Sequence, residues 1–295
     1  MLIKTGINIH LPCYLGDFSA VMNNLTQRTI TGGALALLIT VAICWNAYSF
    51  ILLMLVIDLL SLLEFYRLFH TAGLLPLKKA AVILSISMVV TCTLVITGKT
   101  GSKILMINIP AVFGIFISEL FRKEKNPFYN LAFTFLGIIF ITSPLCFFVG
   151  TAFLPVESGI YHSRIIFGYF LLLWANDSGA YFAGKAVGTH FLFKRISPKK
   201  TWEGSLGGAV CAVLVAYLVS RYFSMPDAVA WVTIALIIIV MGTFGDLIKS
   251  LMKRSLNVKD SGTILPGHGG MLDRFDSLLG SAPFVFSYLV LFRQV

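Results

Sequence analysis

The chain has 295 residues, 57% of them hydrophobic and 12% charged, with a formal net charge of +10. An ordinary soluble domain carries about 25% charged residues, so this composition excludes one and implies a polytopic membrane protein. Five cysteines (Cys13, Cys44, Cys92, Cys146, Cys211) without a CxxC pair, and histidines without an HExxH, exclude a disulfide framework and a structural zinc site.

The first twenty-odd residues contain Pro12, Gly16 and Asp17 and lack the basic start, compact apolar run and cleavage site of a signal peptide. A start-like Met22 marks 1–21 as an added segment, and 1–28 reads as an N-terminal extension. A bilayer span needs about 20 mainly apolar residues. Nine such segments follow, at about 29–45, 48–63, 80–97, 104–121, 130–150, 165–182, 205–221, 229–247 and 278–292. The expected fold class is therefore all-α, a bundle of about nine transmembrane helices. The short connection at Asn46–Ala47 makes the first two antiparallel.

With the N-terminus inside, 18 of the 23 basic residues fall in inner loops and 5 outside, so the positive-inside rule selects N-in, C-out. That rule also accounts for the basic excess. A nucleic-acid surface would want interleaved stacking aromatics, and no nucleic-acid partner is expected. Residues 29–163, about five spans, read as a scaffold. Residues 164–295, about four spans, read as the catalytic region, because two long inner loops lie there, roughly 183–204 and 249–277. No inverted repeat points to a secondary transporter. In the scaffold, Asp58 and Glu64 could each join a polar pocket but read rather as helix-pairing or snorkelling groups, and Glu119 with Arg122 reads as a surface pair worth little.

The last inner segment, GDLIKSLMKRSLNVKDSGTILPGHGGMLDRFDS from Gly245 to Ser277, packs Asp246, Asp260, Asp273 and Asp276 into a stretch with six bases. Asp273 and Asp276 share a helix face at i, i+3. Hard oxygen ligands so placed suit Mg²⁺, which takes one or two carboxylates and leaves its other positions to water and phosphate. Lys253, Arg254, Lys259 and Arg274 supply countercharge for a polyphosphate. The glycine turn around His268, with Pro266, Gly267, Gly269 and Gly270, presents backbone N–H groups that could face an anion. A solvated loop would explain the bases. It would not explain Asp246, Asp273 and Asp276 at the ends of apolar spans, where ionisable groups are costly and usually functional.

A second polar block, WANDSGAYFAGKAVGTHFLFKRISPKKTWEGSLGG, runs from Trp174 to Gly208. Asp177 ends a span there, followed by small residues that permit close approach. Ser197 and Pro198 before Lys199, Lys200, Thr201 and Glu203 predict a helix start, with Ser197 as N-cap and Pro198 in the first turn. A helix N-terminus carrying two lysines is a phosphate site.

KDSGTILPGHGGMLDRFDS, with the preceding GDL and MKR, resembles the signature of the phosphatidate cytidylyltransferase (CDP-diacylglycerol synthase) family. NDSGAYFAGK and SPKKTWEG are similar to its two upstream motifs, in the same order. The resemblance covers about Trp174 to Phe292 and implies transfer of a cytidylyl group from CTP to phosphatidate, with Mg²⁺ required. Lys249 departs from it, standing where the family pattern has Glu. Resemblance and chemistry together assign Asp246 and Asp273 as Mg²⁺ ligands, with Asp276 and Asp177 in the same site as ligand or support. A second metal ion stays open. Lys200, Lys253, Arg254, Lys259 and Arg274 are the expected phosphate clamps, and His268, Gly269 and Gly270 line the nucleotide or pyrophosphate end. The lipid substrate is expected to enter sideways from the inner leaflet of the bilayer; a homodimer stays open. The alternatives are a related lipid transferase (a CDP-archaeol synthase or a polyprenol kinase) and a cation channel or transporter. A channel predicts carboxylates spread through membrane depth, whereas the motif carboxylates cluster on one inner face.

Overall fold

Asn46 alone separates α1 (Leu15–Trp45) from α2 (Ala47–Thr71). Its Oδ1 accepts from Ser49 N at 2.9 Å, and its own N–H donates to Ser49 Oγ at 3.2 Å. This reciprocal cap starts α2 directly after α1 ends, so the two helices run antiparallel as the short connection requires. The computed structural model describes residues 15–155, 158–223, 225–258, 261–262, 264–265, 267 and 269–293, with side chains from residue 26 onward. Of the expected extension, 1–14 lies outside the described residues, and the chain is already helical from Leu15.

Next come α3 (Lys78–Ile96), a 3₁₀ segment (Ser102–Ile107) leading into α4 (Asn108–Leu120), and α5 (Pro127–Gly137), joined by a π-helical turn (Ile138–Thr142) to α6 (Ser143–Thr151). Pro144 lacks an N–H and crowds the carbonyl four residues back, and the wide π turn gives it room. After α7 (Ser163–Val187) the chain makes an antiparallel hairpin, β1 (Phe191–Phe193) and β2 (Ser197–Thr201), in which Phe191 pairs with Thr201 and Phe193 with Ser197. Then follow α8 (Trp202–Tyr222), α9 (Ala228–Ile237), a second π turn (Ile238–Gly242), α10 (Thr243–Ser255) and α11 (Asp276–Tyr288), which ends in a π-helical Leu289–Arg293.

Among the described residues, seven helical stretches are long and apolar enough to cross a bilayer: Thr26–Trp45, Ala47–Thr71, Lys78–Ile96, Ser102–Leu120, Pro127–Thr151, Trp202–Tyr222 and Ala228–Ser255. The protein is thus a multi-pass membrane protein. The other two expected spans, 165–182 and 278–292, coincide with α7 and α11, helices that Asn176, Asp177, Asp276, Ser277 and Ser281 make more polar. Site residues also sit on α10, which lies within the apolar stretch Ala228–Ser255.

The core runs through both halves of the chain and is rich in aromatics. Phe148 of α6 meets Tyr169 of α7 edge-on at 5.1 Å, and the Tyr169 hydroxyl shares a 2.7 Å hydrogen bond with Ser281 of α11. Tyr66 of α2 donates to the Thr134 carbonyl of α5 at 2.7 Å. Large apolar side chains such as Leu37, Ile83, Val210, Leu214 and Phe292 face outward, as expected where lipid is the solvent.

Three readings of the scaffold and loops need correction. Ser197 does not cap a helix: it belongs to β2, and the helix starts at Trp202 with Thr201 as N-cap, its Oγ1 accepting from Gly204 N at 3.1 Å. Pairing with Phe193 holds Ser197 extended, and Pro198 sits in a short edge strand that needs no N–H there. Glu119 is not a surface group: it is buried, taking Arg122 Nη1 at 2.8 Å and Asn130 Nδ2 at 3.0 Å. Asp58 and Glu64 do not snorkel to the interface: both are buried, Asp58 pairing α2 with α3 through Ser85 as the helix-pairing reading expects, and Glu64 bonded instead by the loop that follows α10.

Candidate active site

Two close helix contacts build the site. Where α7 crosses α8, a Cβ on Gly207 would lie 2.2 Å from Ala183 Cβ, and one on Gly179 would lie 2.7 Å from Cys211 Sγ. Only glycines let these backbones approach so closely. The second contact joins α10 to α11, where a Cβ on Gly245 would meet the Asp276 carbonyl at 2.6 Å. That contact sets Asp246, the next residue, beside Asp276.

Between these helix pairs lies a polar cavity of about 430 Å³. Asp177 lines it from α7, Lys199 and Lys200 from β2, and Asp246, Lys249 and Lys253 from one face of α10. Asp273, Arg274 and Asp276 complete it from the approach to α11. Lys200 Nζ is 2.5 Å from Asp246 Oδ2, and Lys253 Nζ is 2.8 Å from Asp273 Oδ1. Lys249 is the most enclosed cation: its ammonium lies 3.6 Å from Asp246 Oδ1 and 3.1 Å from Asp273 Oδ1, and it also donates to Asp276 Oδ2. Its side chain is only 3% exposed.

Burial pushes the Asp273 carboxyl upward, but the Lys249 charge, the Lys253 hydrogen bond and the Ser261 N–H outweigh it. The group is held well below the usual carboxylate range. Counted as formal charges, Asp177, Asp246, Asp273 and Asp276 balance Lys200, Lys249, Lys253 and Arg274, leaving Lys199 in excess. A triphosphate would enter a nearly neutral cavity, so most of its own charge would need a cation that comes with it.

Of the residues singled out in the sequence, Asp177, Asp246, Asp273, Asp276, Lys200, Lys253 and Arg274 meet around this cavity. Ser197, Arg254, Gly269 and Gly270 do not line it; Arg254 is exposed in the last turn of α10. Lys259 and His268 lie outside the described residues. Four amides of the glycine turn and its flanks face protein carboxylates. Ser261 N and Gly270 N point at Asp273 Oδ2 at 2.9 and 3.5 Å, and Met271 N and Leu272 N at Glu64, both at 2.9 Å. Lys199 joins Lys200 at the cavity, as the two-lysine phosphate site expects. Sequence reasoning did not bring Ser261 or Glu64 to the site; no local signal ties Glu64 to the loop before α11.

As for a metal, Asp246, Asp273 and Asp276 offer the hard oxygens that Mg²⁺ prefers. Among the described residues no three His, Cys, Asp or Glu side chains form a ready-made metal nest, and a lysine stands between these three. The arrangement fits an ion held by one or two carboxylates and otherwise by substrate phosphate, which is the usual mode for Mg²⁺.

A second, half-apolar groove of about 230 Å³ shares Asp177, Asp273, Arg274, Asp276 and Ser277 with the first cavity. Gly32, Leu35, Ala36 and Ile39 of α1 and Phe170, Leu173 and Trp174 of α7 form its other walls.

Comparison with known proteins matches residues 26–292 to the model of the cytidylyltransferase family. A phosphatidate cytidylyltransferase of Bacillus subtilis (strain 168) is 38% identical over 181 residues, 61% of this chain and 64% of the relative. One of Haemophilus influenzae is 37% identical over 178 residues, covering 57% and 59% of the two chains. One of Staphylococcus haemolyticus is 35% identical over 196 residues, covering 65% and 72%. The match thus spans less than two thirds of the length of the Bacillus and Haemophilus relatives.

Proposed function

The chain belongs to the cytidylyltransferase family, and from that premise we propose that it transfers the cytidylyl group of CTP to phosphatidate, giving CDP-diacylglycerol and pyrophosphate. One observation carries the reading: a charged cavity and a half-apolar groove share a single wall, made by Asp177, Asp273, Arg274, Asp276 and Ser277. A reaction between a polar nucleotide and a lipid needs that junction, because each substrate must reach the reacting atoms from its own solvent. The relatives' names point to the same pair of substrates.

In the proposed reaction a phosphate oxygen of phosphatidate forms a bond to the α-phosphorus of CTP. The bond from that phosphorus to the β-phosphate bridge breaks, and pyrophosphate leaves with the electron pair. Phosphatidate is already anionic, so no general base is required. Such a transfer asks the protein for alignment and charge neutralisation. Lys199, Lys200 and Lys253 clamp the triphosphate, Arg274 faces both compartments and receives the lipid phosphate, and the α1–α7 groove takes the acyl end from the bilayer. Asp246, Asp273 and Asp276 would hold Mg²⁺, which supplies positive charge against the triphosphate when bound. The catalytic region is 164–295, with 29–163 as its frame. The site faces the cytoplasm with the N-terminus inside and the C-terminus outside, a sidedness supported by the 18-to-5 division of basic residues.

The test is purified protein with labelled CTP, phosphatidate and Mg²⁺, scored for a lipid-soluble cytidylate. Product with phosphatidate and none with a polyprenol or an archaeal ether lipid supports the reading. Label transferred only to another lipid would replace the substrate, and no transfer at all would remove the function.

A further inference from the structure

We infer that Glu64, on α2 in the N-terminal half, is a positioning residue for this transfer: it holds the loop before α11 so that Asp273 faces the cavity. The inference deepens the function proposed above and rests on it.

Glu64 is 3% exposed and lines neither compartment of the site. Its Oε1 accepts from Met271 N at 2.9 Å, and its Oε2 accepts from Leu272 N at 2.9 Å and Ser261 Oγ at 3.4 Å. Two successive amides form a concave donor pair that suits an anion with two oxygens. The Ser261 hydroxyl lies between two carboxylates, closer to Asp273 Oδ2 at 2.8 Å, and the Ser261 N–H donates to that same oxygen at 2.9 Å. Asp273 is therefore gripped by Oδ2 from behind, leaving Oδ1 for Lys249 and Lys253 on the cavity side. The loop closes tightly on the glutamate, since a Cβ on Gly270 would lie 2.5 Å from Glu64 Oε2.

A bulky apolar residue on α2 could fill the space. It could not accept two amides at once, and burying a carboxylate at the end of a span is costly enough to mark function. The sequence separation of more than two hundred residues between Glu64 and Leu272 means that the scaffold half sets the geometry of the catalytic half.

The experiment compares full-length wild type with Glu64→Gln, Ser261→Ala and the double variant. Gln keeps the volume and one acceptor, but its amide turns a donor toward one backbone N–H. The expected result is a kcat loss of about tenfold or more in each single variant, with KM for CTP within about twofold, as for an interaction needed only during turnover. The double variant should lose no more than the worse single one, because both act through Asp273. Unchanged kcat, a KM change alone, or losses that multiply would overturn the proposal. An activity-independent readout is amide hydrogen exchange, which Glu64→Gln should accelerate at Met271 and Leu272 while leaving α7 and α8 unchanged. Unchanged exchange at those two amides overturns the proposal even if activity falls. If wild type forms no lipid-linked cytidylate, the functional reading fails, and the exchange data still decide whether Glu64 holds the loop. Should Glu64→Gln fail to insert, Ser261→Ala is read by the same kcat and KM criteria.

Discussion

Lys249 Nζ stands 3.1 Å from Asp273 Oδ1, and the same ammonium faces Asp246 and Asp276. A fixed cation thus occupies the point on which three carboxylates converge, at the one motif position where the chain departs from the pattern its neighbouring residues resemble.

Replacing Lys249 by Met removes that cation while keeping much of its volume. Leaving buried charges unpaired costs about 3–5 kcal/mol, so the variant should melt earlier in Mg²⁺-free detergent solution. Added Mg²⁺ should restore part of the loss, and the Mg²⁺ concentration for half-maximal cytidylyl transfer should fall, because the ammonium no longer competes for the same oxygens. Superimposable Mg²⁺ titrations of the two proteins would leave Lys249 a purely structural lysine.

Asp273→Asn and Asp246→Asn retain shape and lose charge. Each is expected to abolish nearly all turnover with membrane insertion intact. A variant keeping more than about a tenth of the wild-type rate, a barrier change of only about 1.4 kcal/mol, would show that its carboxylate is not essential.

The corrected helix start has its own check. Thr201→Ala removes an N-cap acceptor and should cost about 1 kcal/mol, seen as a lower melting temperature. Ser197→Ala, in the edge strand, should change stability little. The reverse ranking would restore the helix that the Ser197-Pro198 pair suggests.

Asp273 also fixes an acid dependence. Its folded value is depressed below the ordinary 3.8, so its pairing contributes stability that is fully present above about that pH. The contribution is lost as pH falls further, through the folded value. Wild type and Asp273→Asn should therefore show a constant stability difference from neutral pH down to about pH 4, narrowing in stronger acid. A gap that closes between pH 7 and 5 would mean that the carboxyl titrates normally.

The carboxylates of the site were legible because charge is conspicuous in a chain with so little of it. Asp177, Asp246, Asp273 and Asp276 stood out at the ends of apolar runs and converge in space. Ser197 misled because its cap pattern is local, whereas its conformation is set by pairing with Phe193. Glu64 was illegible for a related reason: its partners are the amides of Met271 and Leu272, and a backbone donor leaves no trace in the sequence. The count of spans divided at α7 and α11, where hydropathy falls because the helices carry chemistry.

The crossing of α7 and α8 has a consequence for tolerance to change. Gly207 rests so near Ala183 that a single added methyl would force the helices apart. Asp177 rides on one of these helices and Lys200 on the strand that feeds the other, so the gap between them is calibrated by side chains that are missing. Misplacing reacting groups by about an ångström can slow a reaction a hundredfold. Gly207→Ala, a conservative exchange at a residue that does not itself line the cavity, would behave like an active-site lesion.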